Sequence, residues 1–142
     1  MTERVLLVDD EVEFLEIMAE RMRARDMEVT TSTSATEALA LIAAESYDAV
    51  VMDFMMPEMD GIEALKAIKD KRPEMQIILL TGHATVEKGV EAMKAGAMDF
   101  VEKPADLDLL SDKIKKAHHQ KAVLVEKQSR DKVIEVLRKF GM

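Results

Sequence analysis

Residues 49–53, Ala49-Val50-Val51-Met52-Asp53, set a four-residue apolar run directly before a carboxylate. A run this short, apolar at every position, reads as a strand covered on both faces, as in a parallel sheet sandwiched between helices. Val5–Val8, Met27–Thr31, Ile77–Leu80 and Met98–Val101 are further short apolar-rich runs, the second and last of them interrupted by polar residues, and the five start 21 to 28 residues apart. Helical periods fill the gaps. Glu11–Arg25 places Phe14, Leu15, Met18 and Met22 on one stripe, with Glu13, Glu16, Glu20, Arg21 and Arg23 largely outside it. Ser34-Ala35-Thr36-Glu37 has the form of a capping box, and the period continues through Leu39, Ala40 and Ile42. Ile62–Asp70 and Thr85–Ala95 follow, the second closed by Gly96, a residue suited to a left-handed helix stop. Strands alternating with helices predict an α/β chain of (βα)5 architecture with a parallel sheet.

The 142 residues amount to one domain, and 48% hydrophobic with 34% charged residues describes a folded globule, excluding disordered and low-complexity classes. No cysteine is present, which excludes disulfides, thiolate metal sites and a cysteine nucleophile and fits a cytoplasmic location. No apolar run approaches the roughly 20 residues that span a bilayer, and Asp9 and Asp10 interrupt the amino end too early for a signal peptide. Charge is divided unevenly. Residues 1–112 carry 11 basic and 25 acidic side chains, a net of −14, against 9 and 3, a net of +6, in residues 113–142. The acidic body should repel nucleic acid and anionic membrane, and the basic tail reads first as the solvated face of a helix.

Four of the five runs end in a polar residue. Asp9 and Asp10 follow the first, Asp53 the third and Thr81 the fourth, while Lys103 stands just beyond the fifth. Ligands of open α/β sheets bind outside the carboxyl ends of the strands, so these residues should converge there. Each has an ordinary reading alone: Asp9-Asp10 and Thr81 as helix caps, Lys103 as a solvated lysine. Together they form a three-carboxylate cluster facing one hydroxyl and one ammonium. Crowded carboxylates call for a cation, and hard oxygen ligands with room for water suit magnesium, with manganese as an alternative ion. Such a site can hold a phosphoryl group transferred to a carboxylate, with Asp53 as the acceptor.

The segments Val5-Leu6-Leu7-Val8-Asp9-Asp10-Glu11, Asp53-Phe54-Met55-Met56-Pro57-Glu58-Met59-Asp60-Gly61, Leu80-Thr81-Gly82-His83, Gly96-Ala97-Met98-Asp99-Phe100 and Lys103-Pro104 closely resemble the receiver domain of two-component response regulators. The resemblance implies a flavodoxin-like, doubly wound sheet of strand order 2-1-3-4-5. It implies a sensor histidine kinase or histidine phosphotransfer protein as phosphodonor. Asp10, Asp53 and the Met55 carbonyl would bind magnesium, with Asp9 acting mainly through water, and Thr81 and Lys103 would hold the phosphoryl oxygens. Thr81 and Phe100 would form the switch, remodelling the face of the fourth helix, fifth strand and fifth helix for an effector protein or a second copy. The Lys103-Pro104 bond would be cis. Phe100 also has a plain reading as core, and Met55 and His83 would flank the path of the water that hydrolyses the phosphoaspartate.

The receiver is assigned to residues 1–120, leaving 121–142 as a helical extension or linker stub. Leu107, Leu110, Ile114 and Ala117 form a stripe; the pattern drifts at Ala122–Val125, turns polar over Glu126–Arg130, and Asp131 is read as the cap of a last segment carrying Val133, Ile134, Leu137 and Phe140. The heptad seam through Lys121, Leu124 and Gln128 decays into polar residues. No recognition helix is visible, so no direct DNA binding is expected, and no membrane contact. His118-His119 is read as a solvated pair, since adjacent helical residues point about 100° apart. The competing functions are a metal-dependent phosphatase or phosphotransferase with Asp53 as nucleophile, and a receiver-like binding module that never takes phosphate. Enzymes of the first kind place a second carboxylate two residues after the nucleophile, where this chain has Met55. The protein is therefore read as a phosphoacceptor that catalyses only its own phosphorylation and dephosphorylation, not as an enzyme acting on other substrates.

Overall fold

The computed structural model describes residues 2–141. Strands β1 (Arg4–Val8), β2 (Glu28–Ser32), β3 (Ala49–Asp53), β4 (Ile77–Thr81) and β5 (Asp99–Glu102) alternate with helices α1 (Val12–Arg23), α2 (Ala35–Ala44), α3 (Gly61–Lys71), α4 (Val86–Lys94) and α5 (Leu107–Lys139). All pairings are parallel, in the order β2-β1-β3-β4-β5, the flavodoxin-like arrangement. The apolar strands divide their side chains between two cores. Leu6, Val8, Val50, Met52, Ile77 and Leu79 face α2, α3 and α4, whereas Val5, Leu7, Ala49, Val51, Ile78 and Leu80 face α1 and α5. The two-residue period of a strand sends alternate residues to opposite faces, which is why the central runs are apolar throughout.

Helix termini are held by short polar side chains, though not always the expected ones. Ser34 accepts from the Glu37 N–H at 3.2 Å, but its own N–H donates to Ser32 Oγ, so only half of the capping box forms. Asp60, Thr85 and Asp106 cap α3, α4 and α5. Neither Asp10 nor Thr81 caps a helix: Glu11 holds the N-cap position of α1 without a side-chain bond. α4 ends as predicted, with Gly96 at φ +103° and the Ala97 N–H on the Ala92 carbonyl.

The carboxyl end is helical, as expected, but Asp131 caps no separate segment. α5 runs unbroken from Leu107 to Lys139, about 50 Å, with no break at Ala122–Val125 and with Asp131 inside the helix. No Pro or Gly lies between Pro104 and Gly141, so nothing in the backbone interrupts propagation. Leu110, Ser111, Ile114 and Ala117 are buried, while every described residue from Val125 onward is exposed. His118 is not simply solvated: its Nδ1 lies 2.7 Å from Asp48 Oδ1, and Lys121 reaches Ser46 Oγ at 2.5 Å, pinning α5 to the segment before β3 as it leaves the sheet. His119 is exposed, as expected.

Gly61 shows how tightly the loop after β3 is folded. A Cβ there would lie 2.9 Å from Phe54 Cα and 3.0 Å from its carbonyl oxygen, atoms that cannot rotate away. Gly61→Ala is expected to cost about 1–3 kcal/mol, read as a lowered urea midpoint; an unchanged midpoint would refute this.

Candidate functional site

The strand register decides which polar residues meet. Val8 is opposite Met52, Asp53 opposite Leu80, and Thr81 opposite Glu102, so Asp9, Asp53, Thr81 and Lys103 emerge side by side at the carboxyl edge of β1, β3, β4 and β5. Asp9 is 1% exposed, Asp53 7% and Thr81 3%, whereas Asp10 is exposed. Lys103 bridges the carboxylates: its Nζ lies 2.5 Å from Asp9 Oδ2 and 3.4 Å from Asp53 Oδ1. It is joined to Pro104 by a cis peptide bond, and its N–H donates to the Thr81 carbonyl at 2.7 Å. Asp9 Oδ1 accepts the Glu11 N–H, which leaves the other oxygen to the lysine.

The electrostatics follow from this crowding. Burial, reinforced by the charge of Asp9, pushes the Asp53 pKa up to about 6 despite Lys103, which works the other way. Burial opposes the charge of Lys103, but its hydrogen bond to Asp9 and the charges of Asp53 and Asp9 outweigh this and raise its pKa. One carboxylate oxygen each from Asp9, Asp10 and Asp53 lie within 4.8 Å of one another. Three hard oxygen donors, one on the solvent side, suit a divalent cation that keeps part of its water shell.

The site opens into a pocket lined by Asp10, Asp53, Met55, Thr81, His83 and Lys88, among others. Met55 is 60% exposed and His83 is exposed; the His83 N–H donates to Thr81 Oγ1 at 3.2 Å. Phe100 is half-buried, meets Phe54 edge-on at 5.8 Å between centroids, and lies beside Gly89, where a Cβ would touch the ring at 3.4 Å. Two neighbours escape the sequence reading. Lys88 donates to the His83 carbonyl and lies 5.6 Å from the Phe54 ring centroid. Phe14, read as part of the α1 core stripe, presents its ring to Lys103 Nζ at 4.4 Å. Its place in the first turn of the helix after Asp9-Asp10 is the sequence signal for this, and the same place marks core residues equally.

Residues 5–115 match the response regulator receiver domain. The chain belongs to this family. The receiver is 40% identical over 113 residues to the transcriptional regulatory protein ZraR of Salmonella typhimurium, a match covering 80% of this chain and 26% of that protein. It spans about a quarter of the length of the curated relatives it matches. A receiver domain from Clostridium thermocellum superposes with a TM-score of 0.81 at 34% identity, covering 86% of this chain and 98% of that one. The beryllofluoride-activated receiver dimer of NtrC4 gives 0.79 at 31% identity, covering 83% and 98%.

Proposed function

We propose that this receiver is the phosphoacceptor of a two-component pathway, with Asp53 taking the phosphoryl group from a phosphohistidine on a sensor kinase or phosphotransfer protein. A carboxylate oxygen of Asp53 attacks phosphorus in line, the phosphorus–nitrogen bond breaks, and the imidazole leaves with the electron pair. Asp10, Asp53 and the Met55 carbonyl would hold magnesium, or manganese, with Asp9 acting through water; when bound, the ion neutralises the transferring oxygens. Lys103 carries a second positive charge to the same oxygens and Thr81 donates its hydroxyl. The observation that carries this reading is Lys103 in reach of both Asp9 and Asp53 at the mouth of an open pocket. A phosphatase reading is weaker, because Met55 stands where a general acid would be needed. The chain then catalyses only its own phosphorylation and dephosphorylation, in the cytoplasm; no described helix is long and apolar enough to cross a membrane.

Incubation with magnesium and acetyl phosphate should add one phosphoryl mass to wild type and none to Asp53→Ala. A folded wild type that accepts neither acetyl phosphate nor beryllofluoride would leave the non-phosphorylated binding module as the reading.

Hydrolysis is tuned by Met55, which cannot orient a water as a polar side chain would, and His83 partly offsets this. Met55→Asn should shorten the phosphoaspartate lifetime several-fold in a decay assay; an equal or longer lifetime would sink the idea. The output is a Thr81–Phe100 switch acting on the face of α4, β5 and α5, read by an effector protein or a second copy. Residues 1–120 form the receiver, and the extension assigned to 121–142, through which α5 continues to Lys139, serves as a homodimer contact. Ala122, Val125, Ser129, Val133, Val136 and Phe140 recur at helical spacing on one exposed stripe, a different face from the seam that decays at Lys121 and Gln128. Sedimentation of the full chain beside a chain ending at Gln120 checks this, and the same association state in both would remove it.

A further inference from the structure

We infer that Phe14 is a positioning residue for the Lys103 ammonium, an inference that rests on the phosphoacceptor reading above. Lys103 has a side chain 14% exposed, with Asp9 at 2.5 Å and Asp53 at 3.4 Å. The ring of Phe14, carried on the first turn of α1, covers a further side with its centroid 4.4 Å from Nζ. Phe14 is itself half-buried and packs against the core on the α1 and α5 face, so the ring is fixed by apolar contacts that the lysine does not supply.

An aromatic face attracts a cation through its quadrupole and takes up no directional hydrogen bond. It therefore displaces water from Lys103 without competing with a carboxylate or phosphoryl oxygen for the N–H groups. The attraction also varies gently with angle. The ammonium can pivot from Asp9 toward an oxyanion forming on Asp53 while remaining over the ring. An aliphatic side chain would exclude water equally well and lose the attraction. A carboxylate in the same place would hold the lysine back.

The test uses the full chain as wild type, Phe14→Leu and Phe14→Tyr, with magnesium present. Fluorine NMR gives beryllofluoride affinity, intact mass gives the acetyl phosphate rate, calorimetry gives the magnesium Kd and urea gives the folding midpoint. Phe14→Leu should weaken beryllofluoride binding and slow phosphorylation about three- to tenfold, with magnesium Kd unchanged, and Phe14→Tyr should restore both. A purely structural role would follow the urea midpoint and would not separate leucine from tyrosine by their ring. Should Phe14→Leu fail to fold, Phe14→Met replaces it with the same expectation. Normal wild-type behaviour with an unaffected leucine variant, or with a tyrosine variant as impaired as leucine, would overturn the assignment of Phe14 alone. Failure of wild type to bind the mimic would overturn the phosphoacceptor reading and the assignment with it.

Discussion

Lys103→Ala is expected to slow the reaction of Asp53 with acetyl phosphate by on the order of 10²- to 10³-fold at saturating magnesium, the scale seen when a preorganised transition-state stabiliser is removed. The incoming phosphoryl group is anionic and must approach Asp53 past Asp9 and Asp10. Among the described residues, Lys103 is the only cation within 4 Å of the Asp53 carboxylate. Lys88 also lines the pocket, but its ammonium is bonded to the His83 carbonyl on the opposite wall. Removing Lys103 also takes away the influence that holds the Asp53 pKa down, so less of the carboxylate nucleophile is present near neutral pH. Lys103→Arg should recover only part of the loss, because a planar fork cannot replace a compact ammonium held between Asp9, Asp53 and the Phe14 ring. Initial rates by intact mass decide the matter; an alanine variant within about threefold of wild type would contradict the role given to Lys103.

Asp53→Asn is expected to abolish phosphorylation while making the metal-free protein more stable near neutral pH. The pKa of Asp53 is about 6 in the fold, above its ordinary value of 3.8. The folded state therefore binds this proton more tightly than the unfolded chain. The stability linked to Asp53 is fully present below about pH 4 and is lost as pH rises through about 6. With each unit of displacement worth about 1.4 kcal/mol, and with a discount for water reaching the open pocket, the ionised carboxylate costs roughly 1–2 kcal/mol at pH 7.5. Asparagine has no charge to bury. The gap between variant and wild type should open between about pH 4 and 7.5 in urea titrations, with the variant the more stable at the upper end. Magnesium should close the gap by stabilising wild type, since a ligand that binds only the folded state raises its stability by mass action. A variant less stable than wild type at pH 7.5 without metal would reverse the sign argued here.

Both predictions concern charges that one sheet edge forces together, and this edge was readable in advance. Each short run became a strand within about one residue of the expected limits; burial on both faces demands continuous apolar segments in the central β3 and β4, whereas the edge strands β2 and β5 are more mixed. Once the strands are parallel, their carboxyl ends lie on one side, and the residues that follow them meet. Capping chemistry was less readable. Asp9, Asp10 and Thr81 are all residue types that cap helices, and only the positions of Glu11 and Thr85 in the chain path assign the caps elsewhere and leave Asp9, Asp10 and Thr81 at the site.

The helical extension at the carboxyl end was legible, but its continuity through Asp131 was not, for a physical reason. Residues 122–131 lose the stripe that packs on the sheet, and the few exposed positions that recur there, Ala122, Val125 and Ser129, make too weak a period to mark the helix. The chain nevertheless continues as helix past the end of the sheet, where its valines have nothing to pack against and are exposed.

Sequence alone thus determined the alternating architecture, the order of the strand-end residues and the carboxylate cluster, since periodicity and strand direction are local properties that a linear pattern carries. Only the tertiary structure decided that Lys103 lies between Asp9, Asp53 and the ring of Phe14, that His118 is bound to Asp48, and that Phe100 packs beside Gly89. Those contacts join residues from 11 to 94 positions apart. Their geometry depends on how helices pack across the sheet, which no spacing within one element encodes.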